Sequence, residues 1–518
     1  MIMRRSTRLV ALVSAAAILL VTGCSSSPKQ TAAGTQSPST ATASKDQVLH
    51  IGLNADPPNL DPMKSSALVD RQVFQSLYDS LVQLDTSLNI APDLADKWEV
   101  SADGTTYTFH LHPGVKFQDG TDFNADAVKF NFDRMMDPAN KSPRLSELGT
   151  LQTVTVIDPN TVQMKLQKPF AGFLAALTDR AGMMVSPTAA KKAGADFGSN
   201  PVGTGPFKFV SRMKGDSITL TKNDGYWQQG LPKASGVVYK IVTDENVKLV
   251  NLQSGQLDVT DTVPPSQVSA LASDNRVKVL NYPSMQYQGL WLNAKQAPLD
   301  NQQIRQAIDI AIDRASFVNV IFGQSATPVW GPFPAGTPAN DGTPVPALDL
   351  NKAKQLVAQS GVKNPTFELK VSNSPINQQI GQVLQSMLAQ AGITVNLKTE
   401  EFGTILNELD SKNFQAAQIG WSGRPDPDGD IYTFFHTGGA QNYASYSSPA
   451  VDKLLEDARI PTDMAQRKPL YTQAMAQIHQ DTPYIFLYSP KVVIGTGPKV
   501  TGFLQIPDGL IRTAALSK

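Results

Sequence analysis

Two periods of apolar residues alternate along the chain. Residues 106–112 place Tyr107, Phe109 and Leu111 on one side, which is the two-residue period of a half-buried strand. A period of about 3.6 residues predicts two helices with one buried face each, carried by Ile304, Ala307, Ile308, Ala311 and Ile312 and by Ile380, Val383, Leu384, Met387, Leu388 and Ala391. Strand-like and helix-like segments follow one another in both halves, so the pattern predicts an α/β protein.

Turn and cap residues predict where several of these elements begin and end. Asp103-Gly104 predicts a hairpin turn after a short strand, and Asn124 is suited to cap the start of a helix. Gly392 predicts the end of the second helix described above. Residues 69–84 carry apolar side chains at helical spacing and predict one continuous helix.

The first 24 residues resemble the signal peptide of a bacterial lipoprotein. Arg4, Arg5 and Arg8 form a basic start, and residues 9–21 are apolar or small but too short for a permanent membrane span. The small residues Thr22 and Gly23 follow, and directly after them comes Cys24, the single cysteine. We expect cleavage after residue 23 and a lipid on Cys24, which would anchor the protein outside the cytoplasm, on the periplasmic side or the outer face of the membrane. The alternative is an ordinary signal peptide with an incidental cysteine.

Residues 24–45 are rich in Ser, Thr, Ala, Pro and Gln and contain almost nothing apolar to bury. Such a segment cannot offset the entropy lost on ordering, so we expect a disordered tether. The body from residue 46 onward is too long for one core and should divide into lobes.

Charge and cysteine content exclude several classes of protein. Removal of the signal peptide leaves 42 basic against 45 acidic side chains. No basic stripe predicts a nucleic-acid partner. A lipid on Cys24 would leave no thiol for a disulfide, so stability must come from packing. We expect neither a cofactor nor a metal: His110 and His112 share one side of a strand, but no carboxylate or histidine spacing around them completes a metal site.

Motifs in the body resemble the extracellular solute-binding family 5, the peptide- and nickel-binding proteins of ABC importers. They occur in order along nearly the whole body: Trp98-Glu99-Val100 with Asp103-Gly104, Gly203-Thr204-Gly205-Pro206-Phe207, Asn223-Asp224-Gly225-Tyr226-Trp227, Arg305-Gln306-Ala307, Ala311-Ile312-Asp313-Arg314, Trp421 to Asp430, and Asp481-Thr482-Pro483.

The resemblance implies a two-lobed periplasmic-binding-protein fold of type II, cluster C-like, with a hinge and an extra small lobe. Lobe I would comprise residues 46–60, 196–290 and 486–518, an accessory lobe residues 61–195, and lobe II residues 291–485. The chain would cross between the main lobes near residues 290 and 486, and these crossings would form the hinge.

The implied function is capture of a small solute, a di- or oligopeptide or a peptide-like molecule, between two lobes, followed by delivery to ABC permease subunits in the membrane. We expect a monomer. Ligands within the family include peptides, glutathione-like peptides, opines, sugars and metal chelates, and the sequence leaves the choice among them open.

The candidate binding residues centre on the loop 420–430. In peptide-binding relatives, an aspartate after the tryptophan that corresponds to Trp421 holds the ligand's amino group. Here the first charged residue is Arg424, and Asp426 follows. Either Asp426 takes the amine, or the fork of Arg424 grips an anionic group. A solvated turn is the third possibility, since Asp-Pro and Asp-Gly pairs are common turn formers. Further candidates for lining the cleft are Trp421, Trp330, Tyr287 and Asn442.

A secreted, lipid-anchored hydrolase is the alternative from another functional class. Gly420-Trp421-Ser422-Gly423 resembles a nucleophile elbow, but Arg424 stands where that motif requires glycine. The sequence also lacks a zinc-protease motif and a phosphate loop, so we expect a binding protein without catalytic residues.

Overall fold

The computed structural model describes residues 47–518. The predicted signal peptide, the lipid site at Cys24 and the predicted tether therefore lie outside the described residues. Within residues 47–518, strands and helices alternate as the apolar pattern predicts. None of the helices in this range combines the length and apolar character needed to cross a membrane.

The largest sheet has seven strands and surrounds the strand Val48–Leu53. This strand pairs in parallel with Gly236–Ile241 and with Val259–Thr260. Its side chains Leu49, Ile51 and Leu53 are fully buried. We call the part of the protein built on this sheet lobe I; the strands in spatial order are Lys278–Tyr282, Val492–Thr496, Val259–Thr260, Val48–Leu53, Gly236–Ile241, Ser217–Lys222 and Phe207–Met213.

A second sheet of six strands forms the centre of lobe II. The strand Thr366–Ser372 pairs in parallel with Thr394–Glu400 and Ala416–Gln418. The strands in spatial order are Ala326–Pro328, Tyr484–Pro490, Gln288–Leu292, Ala416–Gln418, Thr366–Ser372 and Thr394–Glu400.

An antiparallel sheet of four strands defines the accessory lobe. Its order is Ala95–Val100, Thr106–Leu111, Thr161–Leu166 and Leu151–Asp158. The first two strands form the predicted hairpin, with Gly104 at a φ of 66° in its turn. Tyr107, Phe109 and Leu111 point into the lobe's core, as their alternation predicts.

The chain passes between the sheets of lobes I and II at two places. It leaves the strand Lys278–Tyr282 of lobe I and enters Gln288–Leu292 of lobe II within a few residues, and it returns from Tyr484–Pro490 to Val492–Thr496 through Lys491. Two short crossings of this kind are suited to a hinge. The predicted limits of the three lobes stay predictions.

Helices cover the sheets, and side-chain caps define many of their starts. Asn124 caps Ala125–Met136 by accepting a hydrogen bond from the backbone N–H of Ala127 at 3.0 Å, as predicted. Gly392, at a φ of 79°, follows Pro375–Ala389. The α-helices are Leu68–Leu77, Ala125–Met136, Phe173–Ala176, Pro187–Ala193, Glu245–Gln253, Val268–Leu271, Gln302–Ile310, Arg314–Phe322, Leu350–Gln359, Pro375–Ala389, Phe402–Asp410, Asp428–Phe435, Pro449–Ala458 and Met464–Asp481.

The prediction of one helix over residues 69–84 is wrong. The helix Leu68–Leu77 ends where Tyr78 adopts extended backbone angles, and Val82–Leu84 is a strand paired with Ile90–Pro92. The apolar spacing continues through the break because both elements face cores: Leu77 faces lobe I and Val82 the accessory lobe.

Candidate functional site

The loop 420–430 starts from the sheet of lobe II and ends in a helix. Trp421 and Tyr287 exchange two backbone hydrogen bonds, at 2.8 and 3.1 Å, which fix the loop beside the crossing into lobe II. At its other end the loop runs into the helix Asp428–Phe435. The loop is therefore fixed at both ends, and Arg424 lies between its two fixed ends.

Arg424 is buried and held by its own loop. Its Nη1 donates hydrogen bonds to the carbonyl oxygen of Gly423 at 2.7 Å and to Oγ of Ser422 at 3.2 Å. The guanidinium carbon lies 4.1 Å from the ring centroid of Trp421, in cation–π contact. With a side-chain exposure of 7%, Arg424 is not part of a solvated turn.

Arg424 also reaches the accessory lobe. Its Nη2 lies 3.4 Å from Oε1 of Glu147, and its Nε lies 3.9 Å from Oδ2 of Asp179. A second contact joins the same two lobes, because the N–H of Ala171 donates to the carbonyl oxygen of Arg459 at 2.9 Å. The structure thus brings lobe II against the accessory lobe at this loop.

Arg71, on the helix Leu68–Leu77, contacts the same region where Arg424 meets Asp179. Its Nε donates to Asp179 at 3.0 Å, and its Nη1 donates to Oγ of Ser422 at 3.3 Å. The helix packs Val73 and Phe74 into the core of lobe I, although the sequence places it in the range predicted for the accessory lobe. Side chains from all three lobes therefore meet around Asp179.

Two more arginines complete what we call the arginine cluster: Arg71, Arg144, Arg180 and Arg424, with the carboxylates Glu147 and Asp179. Arg144 forms an ion pair with Glu147. Arg180 donates through Nη1 to the carbonyl oxygen and Oγ of Ser65, both at 3.3 Å. The cluster thus holds four guanidinium groups and two carboxylates in a largely buried region.

Electrostatics within the cluster are strong because water is mostly excluded. Burial by itself would raise the pKa of Asp179, but Arg71, Arg180 and Arg424 outweigh it and hold that pKa well below its usual range. Burial likewise opposes Arg144 and Arg424 at Glu147, whose pKa is also lowered. Burial and the charge of Arg144 lower the pKa of Arg180 well below its usual value. The cluster accordingly favours additional negative charge.

The aspartates of the loop are already occupied by protein groups. Asp426 accepts two hydrogen bonds from Arg467, at 2.6 and 2.7 Å. Asp428 accepts two from Arg459, at 2.7 and 2.9 Å. Burial raises the pKa of Asp430 well above its usual value. Among the charged side chains of the loop, Arg424 is the one that approaches carboxylates of the accessory lobe.

The aromatic candidates divide into one at the junction and two in packed cores. Trp421 covers Arg424 and donates from Nε1 to Oδ1 of Asp430 at 3.1 Å. Tyr287 is 1% exposed, and its hydroxyl donates to the carbonyl oxygen of Asp430 at 3.1 Å. Trp330 stacks on His479 with ring centroids 3.7 Å apart, within lobe II.

Asn442 lies in a loop of lobe II and is used to hold that loop. Its amide nitrogen donates to the carbonyl oxygens of His436 and Tyr446, and its oxygen accepts from the N–H of Tyr446 at 2.9 Å. All its polar atoms are thus satisfied within the lobe. Binding roles for Asn442, Trp330 and Tyr287 stay predictions, and their contacts indicate structural roles.

Five charged residues of the site were not predicted from the sequence: Arg71, Arg144, Arg180, Glu147 and Asp179. A local signal exists for one pair: Asp179-Arg180 interrupts an otherwise mostly apolar segment from Phe173 to Val185. Charged residues in such a segment indicate buried ion pairs.

The described part of the chain shows no grouping of three or more His, Cys, Asp or Glu side chains that could hold a metal. His110 lies 3.8 Å from Glu99, and His112 packs against Trp227. These histidines are explained by neighbours on or beside their strand.

Comparison with known proteins gives consistent matches over most of the chain. The family described as bacterial extracellular solute-binding proteins, family 5, matches residues 89–442. The glutathione-binding protein GsiB of Pectobacterium atrosepticum is 34% identical over 480 residues, covering 90% of this chain and 93% of that protein.

Solved structures match at the level of the whole fold. The periplasmic binding protein DppA of Helicobacter pylori, in complex with the peptide STSA, has a TM-score of 0.85 at 28% identity and covers 91% of this chain and 98% of its own. The binding protein AgaA of A. tumefaciens R10, in complex with agropinic acid, has a TM-score of 0.82 at 26% identity and covers 90% and 98%.

These matches confirm the expected α/β, two-lobed periplasmic-binding-protein fold. They give no support to the secreted hydrolase, and periplasmic binding proteins act outside the cytoplasm. The chain therefore belongs to the family 5 bacterial extracellular solute-binding proteins of ABC importers, and it is a non-enzymatic solute-binding protein.

Proposed function

We propose that this protein captures a small peptide or peptide-like solute with a free carboxylate between its lobes, and that Arg424 binds the carboxylate. The closed protein then presents the solute to the permease subunits of an ABC importer. The observation that carries the proposal is the position of Arg424, on a lobe II loop, beside Asp179 and Glu147 of the accessory lobe.

The contacts of the loop support a role for Arg424 over a role for Asp426. Arg467 occupies both oxygens of Asp426, so a ligand amine would have to displace a buried guanidinium group. The carboxylates beside Arg424 are instead shared with other arginines, Asp179 with Arg71 and Glu147 with Arg144. A planar guanidinium can bind a carboxylate through two parallel hydrogen bonds.

Closure of the lobes would strengthen the ion pair between Arg424 and the solute's carboxylate. Cation and anion interact far more strongly in a dry cleft than at a surface, because the dielectric screening by water is removed. Trp421, stacked on Arg424, excludes water on one side. Since the two contacting lobes both contribute charges, a bound anion would link them and favour the closed form.

The named ligands of similar proteins fit this chemistry. GsiB is a glutathione-binding protein, and glutathione carries free carboxylates. DppA was solved with the peptide STSA and AgaA with agropinic acid. A peptide-like solute is therefore preferred over a sugar, which has no acid group to pair with Arg424.

We further propose that a lipid on Cys24 anchors the protein to the outer side of the cytoplasmic membrane or to an equivalent surface, with residues 24–45 as a tether. The protein would work as a monomer, since one two-lobed chain can close around a solute by itself. The basis is the sequence around Cys24. Radiolabelled palmitate incorporation, lost in Cys24→Ala, tests the anchor.

Isothermal titration calorimetry with glutathione and a panel of di- and tripeptides tests the binding role. We expect Arg424→Gln to weaken the tightest interaction by about 2 kcal/mol or more, because the change removes one partner of a buried charge pair. Arg276→Gln is the matched control, since Arg276 forms an exposed ion pair with Asp274. Equal affinities of Arg424→Gln and the wild type would reject Arg424 as a ligand-binding residue.

A further inference from the structure

Two arginines of the cluster carry hydrogen-bonding capacity that no protein group uses. The Nε atoms of Arg144 and Arg180 are buried and have no hydrogen-bond partner within the described chain. Arg180 is 2% exposed and Arg144 is 5% exposed. An unpaired donor on a buried cation is costly, so such groups generally serve a ligand or bind water.

The charges around these arginines do not balance. Glu147 and Asp179 are in direct contact with three of the four guanidinium groups, those of Arg71, Arg144 and Arg424. Arg180 contacts neither carboxylate and is bonded to Ser65. Asp70 approaches Arg180 only through Ser65, whose hydroxyl donates to Asp70 at 2.7 Å. Counted with Asp70, three carboxylates face the four guanidinium groups. Asp508, which also acts on Arg71, is itself paired with Arg512, and burial raises the pKa of Asp430 beside Arg424, which weakens its charge.

The unpaired donors lie close to the carboxylate site proposed at Arg424. Arg144 and Arg424 both contact the carboxylate of Glu147, Arg144 from the accessory lobe and Arg424 from lobe II. Arg180 follows Asp179 in the chain, and Asp179 contacts Arg424. A solute that reaches Arg424 therefore has a second cationic region beside it, separated from Arg424 by Glu147 and Asp179.

We propose that Arg144 and Arg180 form a second anion subsite and that the solute is a dicarboxylate: a small peptide or peptide-like molecule with two carboxylates, one at Arg424 and one at Arg144 and Arg180. This inference rests on the proposed function and narrows its ligand class. A solute with two negative charges neutralises the cluster on closure, whereas a solute with one carboxylate leaves a buried cation unpaired. The subsite thereby selects against neutral peptides and ordinary monocarboxylate dipeptides.

Matched ligand pairs test this selection on the wild-type protein. Calorimetry is carried out with glutathione against its glycyl monoethyl ester, Ala-Glu against Ala-Gln, and Ala-Asp against Ala-Asn. Each pair changes one carboxylate into a neutral group, and in the Glu/Gln and Asp/Asn pairs the neutral group has a similar shape. We expect at least one dicarboxylate to bind about tenfold or more tightly than its neutral partner.

Variants assign the preference to the subsite. Arg144→Gln and Arg180→Gln should each reduce the difference in affinity between the dicarboxylate and its neutral partner to less than about threefold. A neutral glutamine side chain cannot form an ion pair with the second carboxylate. Arg212→Gln is the matched control: Arg212 also has an unpaired Nε, but it pairs with Asp56 in lobe I. This control should keep the preference.

The possible results separate the inference from the proposed function. If both members of every binding pair bind equally, peptide binding stands and the second subsite is rejected, with Arg144 and Arg180 only hydrated. If no peptide of any pair binds, the proposed function fails as well. The ligand pairs decide the matter on the wild type even if a variant does not fold.

Discussion

Arg467 holds Asp426 through both ends of its guanidinium group, with Nη1 2.7 Å from Oδ2 and Nη2 2.6 Å from Oδ1. Arg467 is 2% exposed and also donates to the hydroxyl of Tyr471 at 2.7 Å. This pair ties the loop 420–430 to the helix Met464–Asp481. The aspartate that the sequence offered for a ligand's amine is thereby used to fix the loop that carries Arg424.

Asp426→Asn should destabilise the protein. The change leaves the buried Arg467 without its counter-charge, so we expect the free energy of unfolding to fall by about 3 kcal/mol. Urea denaturation measures this loss. Asp457→Asn is the control, because Asp457 forms an exposed ion pair with Lys453 on one helix and should cost less than about 0.5 kcal/mol.

The alternative role of Asp426 gives a different result. If Asp426 binds a ligand amine, N-acetylation of the peptide should weaken binding to the wild type but not to Asp426→Asn. With Asp426 bound to Arg467, we expect N-acetylation to have the same effect on binding in both proteins. If N-acetylation weakened binding only to the wild type, Asp426 would be the group that binds the ligand's amine.

Gly172 is placed where a larger side chain would oppose closure. A Cβ atom there would lie 3.2 Å from Oδ1 of Asp426 in lobe II and 2.9 Å from the ring of Phe170 in its own lobe. Gly172→Val should therefore cost the closed form about 1–3 kcal/mol, which corresponds to a dissociation constant raised about 5- to 160-fold. Calorimetry with the tightest peptide of the panel measures the change.

Gly331→Val is the control for the side chain added at Gly172, since a Cβ at Gly331 meets no atom within 4 Å. Thermal unfolding separates the two contacts of Gly172. A lower melting temperature with an unchanged dissociation constant would mean that the added side chain disturbs only Phe170 and that this face does not take part in closure.

His479 should make stability depend on pH in the acidic range. Burial beneath Trp330 lowers the pKa of His479 to about 4, against an ordinary value of 6.5. Below pH 6.5 the unfolded chain binds a proton that the folded protein does not. Stability is therefore fully present above pH 6.5 and falls by about 1.4 kcal/mol per pH unit toward pH 4.

Urea denaturation at pH 7.0, 5.5 and 4.5 measures this dependence against His479→Phe, which keeps an aromatic ring against Trp330. The variant should lack the part of the slope that belongs to His479. Parallel curves for the variant and the wild type would show that His479 titrates alike in the folded and unfolded states.

Local patterns in the sequence predict the elements of this fold well. The alternation of Tyr107, Phe109 and Leu111, the cap at Asn124 and the helix end before Gly392 all depend on neighbouring residues, so periodicity and turn chemistry are sufficient. The helix predicted over residues 69–84 was wrong for a related reason. Apolar spacing does not report that the chain changes from one core to another at Tyr78.

The arginine cluster could not be predicted in the same way. Arg71, Arg144, Arg180 and Arg424 are far apart in the sequence and come together only when the lobes pack. Arg424 was a candidate because its loop departs from the pattern of peptide-binding relatives. The other three arginines of the cluster stand in no recognisable motif, and a single arginine in a helix or loop is most often a solvated residue.

Native mass spectrometry of the freshly purified protein, followed by denaturation and mass identification of the released molecule, tests the central claim most directly. We expect one small peptide or peptide-like solute per chain, with a free carboxylate, and its loss from Arg424→Gln but not from Arg276→Gln. A released solute without any acid group, or one retained equally by Arg424→Gln, would contradict the account.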